Sequence, residues 1–193
     1  MTRIIGGSAR GRTLRVPEHG TRPTSDRLRE AMFSSLEHRL GGFQGVCVYD
    51  LYAGSGAFAL EAMSRGAERA VAVEHDRKAA AIIRANADAC RLAVEVVPSD
   101  VARFVERVPI PEPDLIFVDP PYDVSAAVVR EQLAAILRQL PDRNVLLVIE
   151  RPARDQESAV PDGCTDIDIR RLGDTALTYA HWYGYAHDGS APA

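Results

Sequence analysis

From Val46 onward, short apolar runs alternate with stretches in which apolar residues recur every three or four positions. The runs Val46–Tyr52, Ala70–Glu74, Val94–Val97 and Leu115–Val118 predict strands. Ala57–Arg65, Arg77–Cys90 (with Ala79, Ile82 and Ile83 inward) and Asp100–Arg107 predict the helices between them. Val128, Leu133, Ile136, Leu137 and Leu140 keep helical spacing, and Val145–Ile149 is a continuous apolar strand of the kind buried on both faces. Repeated strand–helix units of this length imply a parallel sheet with right-handed crossovers. The rhythm then breaks: Ile167 and Ile169 alternate with polar residues, Leu172-Gly173-Asp174-Thr175 marks a tight turn, and Leu177–Tyr183 forms a last strand. The expected fold is α/β: a doubly wound, seven-stranded, mostly parallel sheet closed by an antiparallel C-terminal hairpin.

Ahead of this core, Arg3–Ile5 and Thr13–Val16 flank Gly6-Gly7-Ser8-Ala9-Arg10-Gly11-Arg12. A small hairpin is predicted, and its glycines suggest mobility. Pro23-Thr24 opens a helix with an apolar stripe of Leu28, Met32, Leu36 and Leu40. The chain divides into a basic hairpin (1–23), one α/β domain (24–185) and a disordered tail (186–193).

Composition narrows the class. The chain has 193 residues, 46% of them apolar and 26% charged, as expected of one soluble globular domain. No apolar run approaches the ~18 residues of a membrane span, and the first residues do not read as a secretory signal. Cys47, Cys90 and Cys164 are widely spaced, which argues against a disulfide framework or a cysteine metal site and for a cytoplasmic protein. Charge is uneven. The first 30 residues carry seven arginines against Glu18, Asp26 and Glu30, a net +4, whereas the whole chain carries −4. A solvated basic tail is the ordinary meaning of such a run, but a basic arm on an acidic body can also grip one polyanion locally.

Val48-Tyr49-Asp50-Leu51-Tyr52-Ala53-Gly54-Ser55-Gly56 runs from strand into a glycine turn and then a helix, so the backbone can approach a ligand at the sheet's C-terminal edge. Alone this fits the dinucleotide fingerprint, a weak signal. Glu74, at the end of the second core strand, is placed to hold ribose hydroxyls, with His75 beside it. Asp50 discriminates: a carboxylate near a pyrophosphate would repel it, whereas the sulfonium and α-ammonium of S-adenosylmethionine would be attracted. Asp100 adds an acceptor suited to an adenine amino group, with the Val101 N–H facing a ring nitrogen.

Asp119-Pro120-Pro121-Tyr122 follows the fourth core strand. The prolines remove two N–H donors and leave carbonyls, chiefly that of Pro120, as acceptors. A nucleobase amine is a poor nucleophile because its lone pair is delocalised into the ring. The Asp119 carboxylate and the Pro120 carbonyl can bind both its N–H bonds and turn the lone pair outward, while Tyr122 offers a face for an extruded base. Pro-Pro is also common in plain turns; what favours chemistry is the ordered series of glycine loop, Glu74 and Asp100 on successive units. The cysteines are expected to be inert, and Trp182 and Tyr183 to belong to the core.

With these residues in hand, the chain resembles the class I, Rossmann-like S-adenosylmethionine-dependent methyltransferases, and among them the bacterial 16S ribosomal RNA guanine-N2 methyltransferase family (RsmD). The resemblance rests on Arg3-Ile4-Ile5-Gly6-Gly7, Arg10-Gly11-Arg12, Arg22-Pro23-Thr24, Asp26-Arg27, the glycine loop, Asp119-Pro120-Pro121-Tyr122 and Leu172-Gly173-Asp174-Thr175. It implies S-adenosylmethionine as cofactor, bound by Asp50, Tyr52, Ala53, Gly54, Ser55, Gly56, Glu74, His75, Asp100 and Val101. It implies that Asp119, Pro120, Pro121 and Tyr122 hold the guanine and that Arg10, Arg12, Thr24 and Arg27 contact RNA. The implied substrate is guanine 966 of 16S ribosomal RNA, in the small subunit or a late assembly particle, met by a monomer that needs neither metal nor membrane. An N6-adenine methyltransferase on RNA or DNA is the alternative, since the same motif serves that amine. A dinucleotide oxidoreductase is disfavoured by Asp50, and a non-catalytic RNA-binding factor by the intact motifs.

Overall fold

The computed structural model describes residues 2–17, 25–106, 112–140 and 142–184. The expected tail, Thr24 and the end of the Asp100–Arg107 helix lie outside them. Two short strands, β1 (Thr2–Arg3) and β2 (Thr13–Leu14), form the N-terminal hairpin. Helix α1 (Asp26–Leu40) follows, and then the core: β3 (Cys47–Leu51), α2 (Ala57–Ser64), β4 (Arg69–Glu74), α3 (Arg77–Cys90), β5 (Glu95–Pro98), α4 (Val101–Phe104), β6 (Leu115–Val118), α5 (Ala126–Leu137), β7 (Val145–Pro152), β8 (Thr165–Leu172) and β9 (Thr175–Trp182). The sheet order is β5-β4-β3-β6-β7-β9-β8, parallel from β5 to β7 and antiparallel for β9 and β8. The doubly wound expectation holds. The order reverses between β3 and β6, so the crevice for a ligand opens at their C-terminal ends.

Helices on both faces explain why the central strands read as unbroken apolar runs. Tyr49, Leu51, Ile116, Val118, Leu147 and Ile149 pack with α4 and α5. Their neighbours Val48, Phe117 and Val148 pack on the other side with Met32, Phe33, Phe58 and Ile83. The α1 stripe departs from the expected Leu28, Met32, Leu36 and Leu40: Arg29, Met32, Phe33 and Leu36 are its buried residues, while Leu28 and Leu40 are only partly covered. Ser25, not Pro23-Thr24, caps this helix, accepting from the Leu28 N–H at 3.2 Å. Trp182 is buried as expected. Ile167 and Ile169 are about half exposed on β8, the edge strand of the sheet.

The hairpin is no loose arm. Ile4, Ala9 and Leu14 form a small core with Leu60 of α2 and with Ala87 and Cys90 of α3. The glycines serve close approach here: a Cβ on Gly7, which has φ +75°, would sit 1.7 Å from the Ser64 carbonyl oxygen.

Candidate active site

Four loops meet at the C-terminal rim of the parallel strands. The first runs from Tyr52 to Gly56. Tyr52 has φ +62°, an unusual conformation for a tyrosine, and its hydroxyl donates to Gln132 Oε1 on α5. The turn closes through the Gly56 N–H to the Ala53 carbonyl at 2.7 Å. At Gly56 a Cβ would fall 2.7 Å from Ile83 Cγ2, so this glycine lets α2 lie against α3. At Gly54 an added Cβ would approach nothing closer than the Tyr52 carbonyl oxygen at 4.0 Å, so the loop is open to a ligand there.

Glu74 ends β4 and is almost wholly buried, with both carboxylate oxygens committed to backbone: Oε2 accepts from the Gly54 N–H at 2.8 Å and Oε1 from the Asp76 N–H at 2.8 Å. His75 Nδ1 stands 3.1 Å from Oε1, with its ring turned to solvent. Asp100 is exposed and caps α4 by accepting from the Ala102 N–H at 2.8 Å. The Val101 side chain is buried in the core below.

Asp50 is placed differently from the expectation. Its side chain is sealed under the loop, 1% exposed, and accepts from the Ala59 N–H at 3.0 Å. Burial first, and the charge of Glu74 as a smaller contribution, push its carboxyl up to about 8. Its buried carboxyl accepts from the backbone of α2 and so shapes the loop. The other carboxyl groups at this rim are those of Glu74, Asp100 and Asp119. Glu74 also takes the Gly54 N–H that a pyrophosphate over the turn would need, which now weighs against a dinucleotide.

Across the switch point, Asp119 is half-buried, Pro120 buried and Tyr122 67% exposed. The turn closes by the Val124 N–H donating to the Pro121 carbonyl at 3.0 Å. Arg151, at the end of β7, donates through Nη1 to the Val124 carbonyl at 2.7 Å and pairs with Asp155 at 2.8 Å, fastening the turn to the sheet. A shallow open cleft lies between Asp119, Pro120, Tyr122 and the β7 end at Glu150.

A family model described as conserved hypothetical protein 95 matches residues 2–181. The ribosomal RNA small subunit methyltransferase D of Haemophilus influenzae is 32% identical over 179 residues, covering 89% of both chains. Its namesake from Escherichia coli is 41% identical over 122 residues, covering 62% of this chain and 60% of that protein. This chain belongs to the RsmD family. A solved structure of a hypothetical protein from Thermus thermophilus superposes with a TM-score of 0.79 at 32% identity, over 93% of this chain and 98% of that one.

In this RsmD-family chain the glycine loop, Glu74, Asp100 and the Asp119–Tyr122 turn share one rim, whereas Arg10, Arg12 and Arg27 are exposed on the N-terminal segments. Two residues that sequence reasoning passed over join these regions. Glu61, fully buried in α2, accepts from the N–H groups of Ile5 (2.7 Å) and Gly6 (2.8 Å) and pairs with Arg65 at 2.7 Å. Asn86 of α3 clasps Arg15 through both backbone groups at 2.9 Å, and its amide also donates to the Ser55 carbonyl at 3.0 Å. Asn86 thus ties the arm to the loop itself. The signals were present: one carboxylate inside the apolar helix Ala57–Ser64, and an amide among alanines at an inward position.

Proposed function

We propose that this protein methylates the exocyclic N2 of one guanine of 16S ribosomal RNA, guanine 966 by family resemblance, in the small subunit or a late assembly particle, with S-adenosylmethionine as donor. The observation that carries this reading is the Asp119-Pro120-Pro121-Tyr122 turn, fastened by Arg151 beside the open glycine loop at the sheet's switch point. The names of the two RsmD relatives supply the small-subunit RNA.

The residues fit the cofactor. Gly54 leaves room for a ligand, Glu74 and Asp100 are acceptors suited to ribose hydroxyls and an adenine amine, and Asp119 keeps the rim acidic for a cationic guest. When bound, S-adenosylmethionine supplies a methyl group on a positively charged sulfur, which departs as a neutral thioether. This chain's own residues prepare the amine. Asp119 and the Pro120 carbonyl accept the two N2–H bonds, the nitrogen lone pair turns toward the methyl group, and the proton that N2 loses leaves past Asp119 to solvent. Tyr122 presents a face on which the extruded base stacks, worth ~1–3 kcal/mol. Positioning and fixed dipoles supply much of the acceleration.

Mass mapping of ribosomal RNA from a strain lacking its own enzyme, with and without this chain, tests the reading. One restored N2-methylguanine in the small-subunit RNA is expected. Restored N6-methyladenine, or no restored methyl group, would overturn it.

A further inference from the structure

The parallel ladder between β6 and β7 ends at the pair Val118 and Ile149. The next residue on each strand is a carboxylic acid: Asp119 on one and Glu150 on the other. Register therefore sets the two side by side at the rim, and both line the cleft that Tyr122 borders. Glu150 is held firmly, since β7 continues beyond β6 and pairs Glu150 with Leu177 of β9. Its neighbour Arg151 fastens the proline turn, so the second carboxylate and the amine-binding turn are fixed as one unit.

A base whose amine sits between Asp119 and Pro120 brings a neighbouring ring nitrogen, N1, to the same edge. In guanine N1 carries a proton and is a donor. In adenine N1 carries a lone pair and is an acceptor. We propose that Glu150 is the residue by which this site distinguishes guanine from adenine: its carboxylate accepts the guanine N1–H while Asp119 and Pro120 hold N2. Presented with adenine, the same carboxylate faces a lone pair, and both groups lose water without gaining a hydrogen bond. The assignment rests on the N2-methylation reading above and adds the base discrimination that the shared proline motif lacks.

The test compares methyl transfer to small-subunit particles reconstituted with either guanine or 2-aminopurine at the target position. 2-Aminopurine keeps the amine at C2 but has a bare N1. The wild-type enzyme is expected to favour guanine in kcat/KM by roughly 10- to 100-fold, the scale of one well-made base contact. In Glu150→Gln the amide can turn an N–H toward N1, and the preference is expected to fall close to one while cofactor affinity, read by calorimetry, stays put. A variant that loses rate on both bases equally, with the preference intact, would overturn the assignment and leave Glu150 a structural residue. So would a wild-type enzyme indifferent to the two bases, a result that does not depend on the variant folding. Wild-type enzyme that forms no N2-methyl product on the guanine particle is a different failure: it overturns the N2 reading, and this inference with it.

Discussion

Asp50 shows how far a tertiary environment can move one side chain from its sequence meaning. Among the described residues its carboxyl has a single hydrogen-bond donor, the Ala59 N–H, and no compensating cation, so burial dominates and pushes its pKa up to about 8. The sign for stability follows. Between about pH 4 and pH 8 the folded protein holds a proton that the unfolded chain has released, so this group's contribution is fully present at low pH and is lost as pH rises through that window. Asp50→Asn keeps an oxygen acceptor and removes the titration. In denaturant unfolding the stability difference should move in favour of the variant between about pH 5 and pH 7, by up to about 1.4 kcal/mol for each unit. A difference that does not change with pH would mean that Asp50 is ionised in the folded protein.

At the scale of elements, the N-terminal hairpin is too short to stand alone, since a lone two-stranded hairpin is marginal in water. It is stable because α2 and α3 offer it polar partners as well as an apolar bed. Glu61→Ala would strip the acceptor from two backbone N–H groups and leave Arg65 with only its contact to Glu37, at 3.0 Å, among the ion pairs of the described residues. Breaking a buried set of this kind costs about 3–5 kcal/mol. That loss should appear in equilibrium unfolding, together with faster amide exchange at Ile5 and Gly6. A loss well below this, with exchange at those amides unchanged, would mean that the apolar contacts of Ile4, Ala9 and Leu14 hold the hairpin by themselves.

For the whole molecule, an acidic body carries exposed arginines on a docked arm, and Asn86 joins that arm to the glycine loop. Phosphate contacts release counterions, so under the proposed RNA-binding role of Arg10 and Arg12 replacing both with alanine should lower the slope of log binding constant against log salt by about 1.4 to 1.8. Cofactor affinity should hold, because neither side chain lies at the rim. An unchanged slope in particle-binding titrations would place the RNA grip elsewhere on the surface.

The sequence by itself determined the element types, the doubly wound class and the placement of the glycine and proline turns at strand ends. Apolar periodicity, the glycine turn and the proline turn are local signals, and Arg77–Cys90 and Leu115–Val118 match the structure end for end. It could not show that Arg29 is buried while Leu28 is only partly covered, nor that Asp50 is sealed from solvent, because burial depends on what the rest of the chain brings over a residue. Nor could it pair Glu61 with Ile5 and Gly6, or set Glu150 beside Asp119. Those neighbours are far apart along the chain and meet only through the docking of the hairpin and the order of the strands. Contacts between distant segments are chosen by the packing of the whole sheet, and that choice was made by the tertiary structure alone.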